Sequence, residues 1–221
     1  GDHPEVRRDA AGALWSLAAA PENQRLIAEG GGIPKLVELL KPGKNNNAQD
    51  TAAGALESLA ERPENRKLIA AADGIGLLIP LFEGNSAEAK AAVMGGLLWL
   101  AVDNVSNQYS IVNKLVAMLA NGPAVAQEAL NGDQAHELTP KVEAQGHATH
   151  VLYKMSMVKV DGSTTYADSM QRTQVIPQLV RQLKGGTETT QQLAQKALSH
   201  IARMSDKLRV QVTQQLVTLL G

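Results

Sequence analysis

Apolar residues recur at three- and four-residue steps from the start of the chain: Val6, Ala10, Ala13, Leu14, Leu17 and Ala18, with polar and charged residues between them. That spacing sets them along one stripe of a helix. It predicts an amphipathic helix over 4–20, opened by Pro4, a residue suited to a first helical turn. Pro21 stops it. A short helix over 22–29 follows, ended by Gly30-Gly31-Gly32. The next runs over 33–41, with Pro34 in its first turn and Pro42-Gly43 at its close.

The same order then returns. Ala10 to Ala18 (Ala-Ala-Gly-Ala-Leu-Trp-Ser-Leu-Ala) matches Ala52 to Ala60 at an offset of 42 (52 − 10). Pro21 to Ile27 matches Pro63 to Ile69, and Ile33 to Leu40 matches Ile75 to Phe82, at the same offset. Gly95-Gly96-Leu97-Leu98-Trp99-Leu100-Ala101 follows 41 places after Gly54. A period near 42 in an all-helical pattern is the mark of a helical solenoid. One unit is a short helix and two longer ones, and the small residues of the Ala-Gly-Ala-Leu helix permit close approach between helices.

Gly31-Gly32-Ile33-Pro34-x-Leu36-Val37-x-Leu39-Leu40, Ala10-Ala11-Gly12-Ala13-Leu14-x-Ser16-Leu17-Ala18 and Pro21-Glu22-Asn23-x-x-Leu26-Ile27 resemble the armadillo repeat. The blocks keep order and spacing from Asp2 to about Leu100. The resemblance implies an all-α, right-handed superhelical solenoid of about five three-helix units. It also implies a concave face, lined by the long helices, that binds an extended segment of a partner protein.

Further along, Leu115-Val116-x-x-Leu119 lies only 37 places after Leu78, and Ile176 to Leu183 restores the pattern. Leu119 to Met155 spans 36 residues where Leu40 to Leu59 spans 19, so an insertion of about 17 residues is expected within 121–145. A helix over 123–130 and a long helix over 141–158 are predicted there, with Leu152 and Met155 in the places of Leu14 and Leu17. Asp161 to Thr164 reads as a turn. Ala194 to Ala202 is the fifth long helix, and Leu216-Val217-Thr218-Leu219-Leu220 opens a sixth unit. The expected units of a single solenoid over 1–221 are 1–30 (partial), 31–72, 73–110, 111–172, 173–207 and 208–221 (partial). The first lacks its Ile-Pro-x-Leu-Val helix and the last its long helix. Gln211, Gln214 and Gln215 are the candidate polar cap of the last helix, since an open solenoid end exposes core.

Composition narrows the function. Apolar residues are 44% and aromatic ones 3%, and the net charge is −1 with both signs mixed along the chain. That argues against general affinity for nucleic acid or anionic lipid. Arg7-Arg8, Lys35, Lys41 and Lys44 are the best basic cluster, but they lack interleaved aromatics and are balanced by Glu5, Asp9 and Glu38. There is no cysteine, hence no disulfide and no thiolate, and the chain suits any redox environment. No run of 18 apolar residues is present. Gly30-Gly31-Gly32 is not followed by Gly-Lys-Ser/Thr, and Lys184-Gly185-Gly186-Thr187 has the wrong order for a phosphate loop. Helix C-caps explain both. No Gly-x-Ser-x-Gly elbow occurs. His147 and His150 stand one turn apart with His136-Glu137 upstream, yet no third ligand is fixed. They read as solvated histidines on the inserted arm. No catalytic residue, no metal and no cofactor is expected.

Candidate partner contacts follow from the resemblance. Nuclear-import receptors of the armadillo class carry a Trp and, four residues later, an Asn on each long helix. Here the Trp place holds Gly12, Gly54 and Gly95, and the Asn place holds Ser16, Ser58 and Trp99, then Lys154 and His200. Neither ladder is present, so the general scaffold type is the nearer likeness. The expected face is a floor of Gly and Ser with Trp99 as an apolar anchor of the type enriched at hot spots; the alternative is that Trp99 packs under the insertion. Trp15, one step round from Ser16 and opposite Glu57 and Leu98, is expected to pack between units. The leading function is a protein–protein interaction scaffold or adaptor. The alternative is a structural subunit embedded in a larger assembly, with the open ends as further association surfaces.

Overall fold

The computed structural model describes residues 3–43, 46–157 and 165–220. Among these every regular element is helical, and the chain forms two compact units, Gly1–Val102 and Asp103–Gly221.

The first unit contains α1 (Pro4–Leu17), α2 (Pro21–Glu29), α3 (Gly32–Leu39), α4 (Asn46–Ala60), α5 (Pro63–Ala71), α6 (Gly74–Leu78) and α7 (Ala87–Ala101). The long helix α4 packs between α1 and α7, and α3 lies against α4 and α5. Ile33, Leu36, Leu40, Leu56, Leu59, Ile69, Phe82, Leu97 and Leu100 are fully buried between these layers. α1 is shorter than the apolar stripe predicts. Pro21 forces the preceding Ala20 into extended backbone (φ −99°, ψ 129°), and the helix gives way at Ala18. The segment matching α3 also differs: it is α6 followed by a 3₁₀ turn, Ile79–Phe82. Pro80 has no N–H to donate and tightens the chain there, whereas Pro34 sits in a first turn where no donor is needed.

The Pro-Glu-Asn blocks have a physical role. The last carbonyls of a helix lack partners within it. The Asn23 amide donates to the Leu17 carbonyl (3.0 Å) and Gln24 to Ala18 (3.0 Å), which closes α1. The Asn65 amide donates to Leu59 (3.0 Å), and buried Arg66 donates to Ala60 and Glu61 (both 2.9 Å), which closes α4.

The second unit contains α8 (Val105–Asn121), α9 (Ala126–Asn131), α10 (Ala135–Met157), α11 (Thr165–Arg172), α12 (Val175–Gly185), α13 (Glu188–Met204) and α14 (Asp206–Leu220). α10 packs on α8 and α13, and α12 packs on α13 and α14. Leu119, Leu152 and Met155 are fully buried, as their places in the repeat require. The long helix begins at Ala135, six residues before the predicted start at 141. Pro140 lies inside it, where it supplies no backbone donor, and the helix continues past it. Leu138 on this early stretch packs with Leu130 on buried Ala126 and Val142, giving the inserted arm a small core of its own. The predicted turn at 161–164 and residue Val158 lie outside the described residues.

A recurring glutamine fixes the register. Gln49 on α4, seven residues before Leu56, donates to the Leu40 carbonyl (3.0 Å) at the end of α3. Gln145, seven before Leu152, donates to Leu119 (3.2 Å) at the end of α8 and to Pro123 (3.3 Å). Gln191, seven before Leu198, donates to Gly186 (2.9 Å) at the end of α12. The sequence separations of 9 for Gln49–Leu40 and 26 for Gln145–Leu119 differ by 17 (26 − 9), the size of the insertion. The arm is also tied down at its root. Arg181 donates to the carbonyls of Leu119, Ala120 and Gly122 (2.8–2.9 Å), and the backbone of Ala124 lies over Gly185, where a Cβ would meet its oxygen at 1.9 Å.

Candidate partner-binding faces

Each long helix presents one face through three positions counted from its central leucine (Leu14, Leu56, Leu97, Leu152, Leu198). Two residues before that leucine stand Gly12, Gly54, Gly95, His150 and Lys196. One after stand Trp15, Glu57, Leu98, Tyr153 and Ser199, and two after stand Ser16, Ser58, Trp99, Lys154 and His200.

In the first unit the glycines are sockets for side chains of the neighbouring helix. The Trp15 ring lies on Gly54, where a Cβ would stand 2.5 Å from the indole. The Glu57 carboxylate lies on Gly95, where a Cβ would stand 1.8 Å from its oxygen. Gly54 is therefore buried and Gly95 half-buried, while Gly12 is half-buried against the Thr51 methyl. Ser16 is exposed with its hydroxyl donated to the Gly12 carbonyl (3.1 Å), and Ser58 is half-buried. The surface the face offers is thus Trp15, Ser16, Glu57, Ser58, Leu98 and Trp99 rather than a glycine floor. Trp15 and Trp99 are each 40% exposed.

Two residues give this face its chemistry. Arg66 stands 5.5 Å from the centre of the Trp99 ring, a cation–π contact, and also donates to the Val102 carbonyl (3.3 Å). Burial pushes the Glu57 carboxyl above the usual range, and nearby Glu61 pushes it further. No cation among the described residues offsets that charge. Pattern reasoning placed Glu57 beside Trp15 but assigned it nothing. The signal was available: a carboxylate at a position held by Trp, Leu, Tyr and Ser in the other long helices, one turn before a second glutamate.

The second unit differs. Lys196 holds the glycine place, and half-buried Tyr153 meets the His200 ring edge-on with centroids 5.8 Å apart. His150 stacks 6.5 Å from Tyr153 and is half-buried. Burial and the Lys154 charge both lower its pKa. The expectation of freely solvated histidines is corrected: His147 and His150 lie half-buried on α10, because that helix is sandwiched between α8 and α13. Lys154 is exposed.

Among the described residues no group of three or more His, Cys, Asp or Glu gathers as metal ligands, and no helix is long and apolar enough to cross a membrane. Of the basic cluster, Arg8 pairs with Asp9 (2.8 Å) and Lys41 with Glu38, and Lys44 lies outside the described residues.

Residues 20–61 match the armadillo/β-catenin-like repeat model, a stretch that spans α2, α3 and α4. A designed armadillo repeat protein shares the fold with a TM-score of 0.60 and 16% identity, over 94% of this chain and 81% of that one. An engineered protein aligns with a TM-score of 0.64 and 21% identity, over 97% of this chain and 82% of that one. A second engineered protein aligns at 0.51 and 23%, over 93% and 94%. No curated protein matches the chain. The fold is an all-α, armadillo-type solenoid.

Proposed function

We propose that the chain is a non-catalytic interaction scaffold that holds an extended, cationic partner segment along the exposed face of α1, α4 and α7. Glu57 carries the reading. A partly desolvated carboxylate beside a second carboxylate costs stability unless a positive charge joins it. It sits on the middle helix, flanked by helices that bear half-exposed Trp15 and Trp99. Aromatic anchors beside an acidic group fit a lysine or arginine side chain with an apolar stem. Ser16 and Ser58 are small and keep the face low between the two tryptophans, so a partner backbone can approach. Lys154 and His200 present a different chemistry, and an acidic stretch of a partner suits them.

The test is fluorescence anisotropy with labelled lysine-rich and glutamate-rich peptides against the whole chain. The lysine-rich peptide is expected to bind, with Trp99→Ala weakening it by about 2 kcal/mol, roughly thirtyfold, at unchanged helicity. Equal binding of both peptides, or an unchanged affinity in Trp99→Ala and Glu57→Gln, would remove the face from consideration.

A further inference from the structure

Two asparagines of the chain precede a glycine, Asn121 and Asn131, and each is the last residue of its helix, α8 and α9. The pair carries a latent reaction. A backbone nitrogen can attack the side-chain carbonyl carbon of the asparagine before it and close a succinimide ring. Glycine has no Cβ to shield that nitrogen, and its backbone turns freely. The two sites share the residue pair but not the surroundings. Asn121-Gly122 is held. The Gly122 N–H donates to the Met118 carbonyl (3.1 Å), and the Gly122 carbonyl accepts from Arg181 (2.8 Å). The Gln145 side chain lies against the same glycine, where a Cβ would stand 2.4 Å from its amide. Turning the Gly122 nitrogen toward the Asn121 side chain breaks the bond to Met118 and disturbs the one from Arg181.

Asn131-Gly132 lies where the chain turns from α9 into α10. Both residues are exposed, as are Asp133 and Gln134 after them. Gly132 leaves the helix in extended backbone (φ −85°, ψ 170°), and its carbonyl accepts from the Ala135 N–H (3.0 Å). The helix before it has six residues, too few to be stable by itself. Its footing is the small core of Ala126, Leu130, Leu138 and Val142. Reorienting the peptide unit between Asn131 and Gly132 therefore costs the last turn of a short helix. It leaves the Gln145 and Arg181 contacts at the root of the arm in place.

We propose that Asn131 is a site of spontaneous deamidation, and that the fold protects Asn121 from the same reaction. The Gly132 nitrogen bonds to Cγ of Asn131. The Cγ–Nδ2 bond breaks, and ammonia leaves with the proton that the backbone nitrogen gives up. Water then opens the succinimide at one of its two carbonyls, which yields aspartate or isoaspartate. Water is the only co-reactant. Either product puts a carboxylate beside Asp133 at the end of α9, where the unpaired carbonyls of the helix disfavour negative charge. Isoaspartate also lengthens the main chain between α9 and α10 by one methylene. Leu130 is the adjacent residue, so the core of the arm loosens while its root stays closed.

The test is incubation of the whole chain in mildly alkaline buffer made with heavy-oxygen water, followed by peptide mass spectrometry with fragmentation that separates aspartate from isoaspartate. The Asn131 peptide is expected to gain the mass of an amide-to-acid change with one solvent oxygen. It should convert roughly tenfold or more faster than the Asn121 peptide, the factor that one charged hydrogen bond imposes. In urea the two rates should converge. Gly132→Ala, tolerated because φ is negative there, should stop the conversion at Asn131 with the circular dichroism unchanged. Hydrogen exchange of the aged chain should quicken over 126–140 and stay as it was in α8 and α13. An Asn131 that survives as long as Asn121 in the folded chain overturns the proposal. So does a rate difference that persists in urea, since local sequence and not the fold would then set it. Unchanged exchange over 126–140 in the converted chain overturns the loosening of the arm.

Discussion

The long helices of the two units contrast most two residues before the central leucine, where the first unit has glycine throughout and the second has His150 and Lys196. Gly54 and Gly95 let the residue three positions further along the preceding helix lie flat across them, so Trp15 and Glu57 are drawn between helices. In the second unit that place holds His150 and Lys196. There half-buried Tyr153 builds an aromatic row with His150 and His200. One missing Cβ thus exchanges an acidic, tryptophan-flanked face for one of imidazole and lysine. A helix-interior glycine costs roughly 0.5–1 kcal/mol relative to alanine, so the sockets are maintained against local preference by the packing they allow.

The comparison is broken most forcibly at the socket. Gly54→Val drives a branched side chain into the Trp15 ring and is expected to cost about 2–3 kcal/mol, read as a lower urea midpoint. A loss near zero would show that Trp15 swings away freely. The glutamine register comes next. Gln145→Leu removes the donor to the Pro123 carbonyl and one of two to Leu119, a loss of roughly 1–3 kcal/mol, kept toward the lower end because Arg181 still serves Leu119. At Gly12 only the Thr51 methyl is near, at 3.6 Å, so Gly12→Ala should stabilise by about 0.5–1 kcal/mol. A destabilised Gly12→Ala would mean that α1 and α4 sit closer than the fold requires.

The smallest effects are in the pH dependence. Glu57 has a folded pKa above its unfolded value of 4.5, so its charge costs stability at neutral pH. That cost fades as pH falls through the folded value and is gone below the unfolded one. Glu57→Gln should therefore raise the midpoint at neutral pH, with the gain vanishing toward pH 4.5; a gain that persists in acid would have another origin. His150 has the opposite sign. Its folded pKa lies below 6.5, so stability is intact above that value and declines as the unfolded chain takes up the proton first. His150→Gln should flatten the decline just below pH 6.5, and an unchanged slope would show the ring to be effectively solvated.

Much of this was legible in the residues. The 42-residue period placed every long helix of the first unit, and Leu152 and Met155 carried the register across an insertion whose size the glutamines reproduce. Helix limits were less legible at prolines. Pro21 ended α1 early through its neighbour's backbone, and Pro140 failed to end α10 because Leu138 has a packing site on Ala126 and Val142.

The sequence by itself determined that the chain is a helical solenoid, because a repeated apolar stripe can be buried only by stacking copies of the same unit. It also placed the long helices of the repeated stretch, since the same apolar blocks return at a fixed spacing. What the faces carry was set by packing between helices. Whether Gly54 is a floor or a socket, and whether Glu57 is solvated, both depend on side chains of a neighbouring helix dozens of residues away. Spacing within one helix carries no information about how far such a side chain reaches.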